Sequence, residues 1–248
     1  IRIRLAVIAL VLIVLGTALG TQANKFVYPE GGMIVYMTGA KRMVAGEEIL
    51  VRKDPLGAYT YPPAFALPFV PLLALPVAAQ WAVFTCVNLL LLELVVYLVW
   101  RRVRPYMKRG VHWWQRPAIW FAAVFVLAGR HLVSPIEGQC HDLLLFAVVL
   151  LGIDAWCASA GKRSGAWTGL GAALKATPLL FGPYYLWQRQ WAAAAVMAIS
   201  LTVVTLLPDV TYPRPDGQLH AMAWYHTFIA YVSIGEPPPD EGWTSWNK

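Results

Sequence analysis

The chain has 248 residues, of which 58% are apolar and only 13% are charged, about half the charged fraction of an ordinary soluble domain. This composition excludes a disordered chain, a disulfide-rich secreted scaffold and an ordinary soluble enzyme, and it predicts an all-α, polytopic membrane protein. The net charge of +7 raises the question of nucleic-acid binding, which depends on where the charges lie. The three cysteines form no C-x-x-C pair and predict no zinc site or disulfide framework.

Five apolar segments and one broken segment predict a single transmembrane domain over residues 1–248. In chain order, spans are predicted at about 5–20, 79–100, 117–133, 143–157 and 190–207, with half-helices at 165–175 and 177–187. Basic residues and no acids occur in three segments, at 101–116, 162–163 and 189. The positive-inside rule therefore places these segments and the N-terminus on the cytoplasmic side. Loops 21–61, 134–142 and 208–248 then lie outside.

This topology accounts for the charge. The cytoplasmic segments hold eleven basic residues and no acid, whereas the outer loops hold seven basic and eleven acidic residues. The charge is therefore a signal of topology, and no nucleic-acid partner is expected.

Two apolar segments depart from a simple span. Residues 62–77 hold five prolines, and each interior proline costs a helix about 3 kcal/mol, so this segment is predicted to be interfacial or re-entrant. Residues 165–187 hold four glycines and two prolines between two cytoplasmic ends. We expect them to enter the membrane and return as the two half-helices, with Lys175 and Pro178 at the tip.

The first outer loop contains an amphipathic pattern. Apolar residues follow helical spacing at Met33, Tyr36, Met37, Ala40, Met43 and Val44. The pattern predicts a helix that lies in the membrane interface or packs on the protein's own outer loops, and the two interpretations are compatible.

The residues that could carry chemistry collect on the outer side. The chain has no D-x-D, Walker, H-E-x-x-H or G-x-S-x-G motif, so any donor substrate should arrive through the membrane. Polar and charged side chains surround the outer turn at 130–142 and include Arg130, His131, Gln139, His141 and Asp142. Cations beside carboxylates suit an anionic lipid head group and a general base.

Three motifs carry a resemblance to a known family. They are Tyr61-Pro-Pro-Ala-Phe-Ala, Gly138-Gln-Cys-His-Asp-Leu-Leu-Leu and Gly169-Leu-Gly-Ala-Ala-Leu-Lys-Ala-Thr-Pro-Leu-Leu. In this order they resemble the Y-x-Y-P-P, G-Q-x-N and L-K-x-[TS]-P motifs of glycosyltransferase family 87, and the resemblance covers roughly residues 28–248. The family is longer than this chain, so we expect the chain to be its N-terminal portion, with several C-terminal helices missing.

The resemblance implies a transmembrane helical bundle of GT-C type in the bacterial inner membrane, with a periplasmic active face. It implies a polyprenyl-phosphate-linked sugar donor, often of mannose or arabinofuranose, a glycan or glycolipid acceptor, and transfer that inverts the anomeric centre. An acid of the first outer loop acts as base and cations stabilise the departing phosphate, so no metal or other cofactor is required.

The chain departs from the family pattern at two positions. The catalytic Asp position is occupied by Gly32, and His141 stands where the family has Asn. Either Glu30 or Asp142 supplies the base, or the chain is an inactive membrane subunit of a larger complex.

The candidate site residues follow from these motifs and the resemblance. The catalytic candidates are Glu30, Asp142 and His141, and the donor-binding candidates are Lys175, Arg130, His131, Tyr61 and Gln139. Structural alternatives stay open: Asp142 could cap the following helix, Lys175 could pair with Glu93 or Asp142, and Arg130 could extend to the interface.

Overall fold

The computed structural model describes residues 32–50, 59–106, 119, 123, 129, 134–136 and 138–230. Within these residues the chain is helical and contains no strand, so the all-α prediction is confirmed for this part. The longer elements are α1 (Gly32–Ala45), a 3-10 helix (Pro63–Ala74), α2 (Val77–Val103), α3 (Asp142–Cys157), α4 (Gly161–Leu174), α5 (Phe181–Trp187), α6 (Trp191–Thr211) and α7 (His220–Phe228). Short 3-10 turns cover Arg104–Tyr106 and Thr177–Leu180.

The chain divides into two compact units. The first comprises Ile1–Gly32 and Pro76–Asp154, and the second comprises Met33–Leu75 and Ala155–Lys248. In the first unit, α2 begins directly after Pro76. The carbonyl of Pro76 accepts hydrogen bonds from the Ala79 and Gln80 amides at 2.9 and 3.0 Å. The missing N–H of Pro76 carries no cost, because an N–H ahead of the first turn has no partner within the helix.

Helices α2 and α3 run in the same direction in the first unit. Near the start of α2, Thr85 Oγ1 accepts a hydrogen bond from Gln139 Nε2, just before α3, at 3.2 Å. Near the end of both helices, Arg102 Nε donates to Asp154 Oδ1 at 2.6 Å, and Arg102 also donates to the main-chain oxygen of Asp154. Arg101 Nη2 lies 3.1 Å from the other carboxylate oxygen. The two helices are therefore tied at both ends and are parallel.

The amphipathic helix predicted in the first outer loop is present as α1. Its buried residues are Met33, Tyr36, Gly39, Ala40 and Met43. Four of the six predicted positions are therefore buried, whereas Met37 is half-buried and Val44 is exposed, because the buried face turns towards Gly39. The ring of Tyr36 packs against Phe65 and Phe69 of the 3-10 helix, with centroids 5.0 and 5.1 Å apart. The interpretation that α1 packs on the protein's own segments is confirmed, and its contact with a bilayer stays a prediction.

The proline-rich segment forms a 3-10 helix of 12 residues. Its length is unusual, because 3-10 runs beyond three or four residues are uncommon. Pro68 and Pro71 lie inside it and would each remove an α-helical hydrogen bond. Its buried residues are Pro63, Ala64, Phe65, Ala66 and Phe69, and the element packs against α4 and α6 of the same unit.

Glycines allow α4 and α6 to approach closely. A Cβ atom on Gly165 would lie 2.2 Å from the Ala193 carbonyl oxygen, and one on Gly169 would lie 2.4 Å from that of Met197. Larger residues at these positions would separate the helices. Gly165 lies against Ala193 and Gly169, further along α4, lies against Met197, further along α6, so the two helices are parallel. Ser200 Oγ also donates a hydrogen bond to the Ala166 carbonyl at 2.9 Å.

Between these two helices the chain makes a hairpin. Helix α4 ends at Leu174 and is followed by Lys175, whose backbone is extended at φ −154° and ψ 131°. The chain then continues through Thr177–Leu180 into α5. Tyr185 Oη lies 2.7 Å from Ser164 Oγ, so the end of α5 lies beside the start of α4. The two arms are antiparallel, with Lys175 at the turn. That the arms enter and leave a membrane stays a prediction.

Two described helices, α2 and α6, are long and apolar enough to cross a membrane. They overlap the spans predicted at 79–100 and 190–207. Helix α3 has 16 residues. The span predicted at 5–20 and most of that at 117–133 lie outside the described residues. The complete bundle and the division into spans and loops therefore stay predictions.

Candidate functional site

The loop before α3 is held by a buried glutamine. The Gly138 amide donates to the Ser134 carbonyl at 2.8 Å, and the Cys140 amide donates to that of Pro135 at 2.7 Å. Gln139 has φ 51°, a left-handed conformation that is uncommon outside glycine. Its side chain is fully buried and donates to Thr85 Oγ1. Gln139 thus fixes the loop on α2, and its predicted contact with substrate stays a prediction.

Gly32 contacts this same loop. The amide of Gly32 donates to the carbonyl of Gly138 at 3.0 Å. Gly32 is the position at which the resemblance expects a catalytic acid, and Gly138 begins the second motif. Both belong to the first unit, which therefore brings the expected acid position beside the loop that carries His141 and Asp142.

His141 and Asp142 begin α3 in different environments. His141 is buried, and its carbonyl accepts from the Leu145 amide at 3.2 Å. Asp142 is the first residue of α3 and is exposed. Acidic residues are favourable in the first turn of a helix, where the main-chain amides point towards them. Asp142 thus offers an exposed carboxyl group four residues after Gly138, and exposure is what a proton acceptor for a substrate requires.

Tyr61 lies at the edge of an aromatic cluster in the second unit. Its ring centroid is 5.4 Å from Tyr36, 5.8 Å from Tyr59 and 5.2 Å from Phe65. The side chain of Tyr61 is half-buried, so part of its ring remains accessible. The cluster fixes the position of the ring, and its contact with a substrate stays a prediction.

Tyr59 is the buried partner in this motif. Its ring covers Gly39, and its hydroxyl donates to the Pro62 carbonyl at 3.4 Å. Burial raises the pKa of the Tyr59 phenol well above its usual value. Tyr59 therefore stays neutral and acts in packing.

Lys175 lies at the turn of the hairpin. Its amide donates to the Gly171 carbonyl at 2.9 Å, which completes the last turn of α4, and its side chain is half-buried. The preceding residues of α4 are buried, whereas Ala176 and Thr177 are exposed. The lysine is therefore at the boundary between packed helix and open surface. Its predicted role as a phosphate ligand stays a prediction.

Charged residues join two loop segments of the second unit. Arg214 donates to Glu48 through Nη1 at 3.1 Å and Nη2 at 2.8 Å, and to Asp216 through Nε at 3.0 Å and Nη2 at 2.7 Å. The guanidinium lowers the pKa of Asp216 to about 2 and also lowers that of Glu48. We call Glu48, Arg214 and Asp216 the loop clasp.

Three predicted site residues, Glu30, Arg130 and His131, lie outside the described residues. Of the others, Gln139, His141 and Asp142 lie in the first unit, and Tyr61 and Lys175 lie in the second. In the part of the chain that the structure describes, no group of three or more histidine, cysteine or acidic side chains could hold a metal ion.

Comparison with known proteins identifies the family. Residues 59–246, more than half of the chain, match glycosyltransferase family 87. The chain belongs to this family. The membership predicted from three motifs is confirmed, and the matched region includes Tyr61, Gln139 and Lys175 but begins after Gly32. No solved structure matches the chain.

A curated relative from Mycobacterium tuberculosis (strain ATCC 25618 / H37Rv) is a polyprenol-phosphate-mannose-dependent alpha-(1-2)-phosphatidylinositol mannoside mannosyltransferase. It is 27% identical over 207 residues, which cover 78% of this chain and 48% of the relative. The chain thus spans about half the length of this relative.

Two polar groupings in the structure were not among the predicted site residues. One is the pair of arginines on Asp154. The sequence held a signal for this ion pair: Asp154 lies near the end of one apolar segment, and the arginines lie at the same end of another. The other is the hydrogen bonding of Ser164 and Thr168 with Tyr185. Single hydroxyl residues in apolar segments give no comparable signal, because their partners depend on the hairpin.

Proposed function

We propose that this chain is part of an integral membrane glycosyltransferase that moves a mannosyl group from a polyprenyl-phosphate donor to a glycan or glycolipid acceptor. The transfer takes place on the periplasmic side of a bacterial inner membrane and inverts the anomeric centre. The observation that carries the proposal is membership of glycosyltransferase family 87, supported by the curated relative's dependence on polyprenol-phosphate-mannose.

The directions of the helices support the proposed topology. Helix α2 ends at Val103, whereas Gln139 bonds to Thr85 near the start of α2. The chain between Val103 and Gln139 must therefore return along the length of α2, as the span predicted at 117–133 would do. Both arginines of the Asp154 pair then lie at the cytoplasmic end with the other basic residues. The hairpin returns to the side from which α4 starts, so α6 begins on that side and ends on the outer side.

The proposed reaction needs one base and one group that stabilises the leaving phosphate. The acceptor hydroxyl oxygen attacks the anomeric carbon from the face opposite the phosphate. The bond from that carbon to the phosphate oxygen breaks, and its electron pair leaves with polyprenyl phosphate. The proton of the acceptor hydroxyl passes to a carboxylate.

Asp142 is the carboxylate that we assign as base. It is exposed in the first turn of α3 and follows the loop that receives the Gly32 hydrogen bond. Glu30, two residues before Gly32, is the second candidate. His141 is buried, and we assign it to support of the loop.

Lys175 is the residue that we assign to the donor phosphate. Its position at the turn of the hairpin keeps an ammonium group at the boundary of the packed helices, where a lipid phosphate could meet it. Arg130 and His131 are further candidates for this role, and Tyr61 and Gln139 are candidates for sugar contact.

The test is mannosyl transfer by the full-length protein in nanodiscs, with polyprenyl-phosphate mannose as donor. We expect Asp142→Asn to lower kcat at least 100-fold, in the range known for loss of a general base, while donor binding is retained. Glu30→Gln is the matched control and should retain activity. Loss of activity in Glu30→Gln alone would move the base to Glu30.

Gly32 favours a second candidate function, that of a catalytically inactive membrane subunit in a larger complex. A glycine cannot take a proton from the acceptor. The variant Gly32→Asp separates the two functions, because Gly32 is the first residue of α1 and its hydrogen bond to Gly138 comes from the main chain. A wild-type protein without activity that gains transfer in Gly32→Asp would support the inactive subunit.

A further inference from the structure

Three buried hydroxyl groups meet between the arms of the hairpin. Tyr185 Oη of α5 lies 2.7 Å from Ser164 Oγ and 3.2 Å from Thr168 Oγ1, both of α4. The exposed fractions of Ser164, Thr168 and Tyr185 are 1%, 0% and 1%. We call these three residues the hydroxyl cluster.

The hydroxyl cluster contributes hydrogen bonds as well as packing. Thr168 Oγ1 already donates within its own helix, with the Ser164 and Gly165 carbonyls at 3.0 and 3.2 Å. A phenylalanine in place of Tyr185 would satisfy the packing on Ala172 and Met197 equally well. The phenolic oxygen adds a directional contact, and a buried polar group tolerates few arrangements other than the one that satisfies it.

The part of α4 up to Gly169 is already fixed, whereas Lys175 lies six residues further along, at the join with the return arm. Helix α4 lies against α6 through Gly165 and Gly169, at distances that admit no side chain. The return arm, which consists of Thr177–Leu180 and α5, is tied to this platform by Tyr185. The return arm also packs on α6, and the hydroxyl cluster adds the hydrogen bonds that set its orientation against α4.

Lys175 lies where the two arms join. It is seven residues after Thr168, which is about 10 Å along a helix. A tilt of the return arm by about 5° would move its far end by roughly 1 Å over that length. A displacement of this size can cost a reaction about 100-fold.

We infer that Tyr185, through its hydrogen bonds to Ser164 and Thr168, is a positioning residue that sets the place of Lys175 for the donor phosphate. The inference rests on the proposed function, because it takes Lys175 as a ligand of that phosphate. It adds a residue outside the three family motifs, located on the return arm of the hairpin.

The test compares two neighbouring tyrosines in the full-length protein in nanodiscs. Tyr185→Phe removes the hydroxyl from the cluster. Tyr184→Phe is the matched control, because Tyr184 is 37% exposed and its hydroxyl makes no hydrogen bond within the described part of the chain. We expect Tyr185→Phe to weaken equilibrium binding of polyprenyl-phosphate mannose about 5- to 30-fold, and Tyr184→Phe to change it less than two-fold.

A double-mutant cycle with Lys175→Met identifies how Tyr185 acts. Residual binding of Lys175→Met comes from the isoprenoid chain and the sugar, so it remains measurable. If Tyr185 acts through Lys175, adding Tyr185→Phe to Lys175→Met changes binding less than two-fold. An equal loss in both backgrounds, or no loss in either, overturns the inference.

One substitute variant and two control outcomes keep the inference separate from the proposed function. If Tyr185→Phe does not fold, Thr168→Val replaces it, since that substitution removes one hydroxyl of the cluster and keeps the branched shape; the same cycle then applies. A wild-type protein that binds no polyprenyl-phosphate sugar overturns the proposed function itself, and the inference with it. Wild-type binding that is unaffected by Lys175→Met overturns the inference alone.

Discussion

Individual glycines show how closely the second unit is packed at particular residues. Gly39 lies under the ring of Tyr59, and a Cβ atom there would lie 2.6 Å from two ring carbons. Tyr59 has an exposed fraction of 2%, so its ring has no open space to enter. Gly182, in contrast, has no atom within 4 Å of the position of a Cβ.

These two glycines give a matched prediction. Gly39→Leu should lower the melting temperature of the detergent-solubilised protein, because overpacking a buried position costs about 1–3 kcal/mol or more. Gly182→Leu introduces the same side chain into open space in a helix and should leave the melting temperature unchanged or raise it. Equal effects of the two substitutions would contradict the packing described for α1.

The loop clasp predicts a specific dependence of stability on pH. The pKa of Asp216 is about 2 in the folded protein, below its usual value of 3.8, because Arg214 holds the carboxylate charged. A lowered pKa contributes stability that is present above about pH 4 and is lost as the pH falls towards 2. The pKa of Glu48 is lowered in the same direction by the same arginine.

Arg214→Met should therefore destabilise the protein most near pH 6. The difference in melting temperature from the wild type should shrink steadily as the pH is lowered from 5 towards 2. Lys162→Met removes one positive charge at an exposed residue that makes no ion pair within the described ranges, and its effect should not follow this course. A constant difference for Arg214→Met at every pH would show that the clasp is not electrostatic.

At the scale of elements, the ion pairs of Asp154 hold α2 and α3 parallel. The carboxylate side chain is 13% exposed and accepts from both arginines, so its loss leaves two cations without their acceptor. Hydrogen bonds to charged groups contribute about 1.5–3 kcal/mol each.

Asp154→Asn should lower the melting temperature clearly. Glu93→Gln makes the same chemical change on α2, where Glu93 is exposed and forms no ion pair within the part of the chain that the structure describes. The melting temperature of Glu93→Gln should stay near that of the wild type. An unchanged melting temperature in Asp154→Asn would mean that packing of Ile136 and Leu143 alone holds the two helices.

The elements also show what a sequence can predict. The apolar face of α1 and the break at Lys175 follow from local spacing and from glycine and proline, so both were expected. The 3-10 conformation of Pro63–Ala74 was not predicted, because prolines disfavour an α-helix but do not specify which structure replaces it. The left-handed Gln139 and the arginines on Asp154 depend on contacts between distant segments, which spacing along the chain does not report.

The candidate site divides in the same way. Residue types and motif order predicted the family, which is confirmed. The burial of His141 and the exposure of Asp142 separate two neighbouring candidates that the sequence could not rank. The hydroxyl cluster lies outside every motif, because only the hairpin brings Tyr185 to Ser164.

At the scale of the whole molecule, the topology predicts which loops are accessible from outside. In a variant without the three native cysteines, the proposed topology places Gln218→Cys in an outer loop and Lys162→Cys in a cytoplasmic turn. A membrane-impermeant maleimide should label Gln218→Cys in intact spheroplasts and Lys162→Cys only after lysis. The reverse labelling would invert the proposed orientation and move Asp142 to the cytoplasmic side.

The central claim is that the donor sugar is linked to a polyprenyl phosphate. The most direct test is incorporation of labelled mannose into membrane lipid and glycan acceptors by the purified full-length protein, with either polyprenyl-phosphate mannose or nucleotide-linked mannose as donor. We predict incorporation from the lipid-linked donor and none from the nucleotide-linked donor. Incorporation from the nucleotide donor, or from neither, would contradict the proposed function.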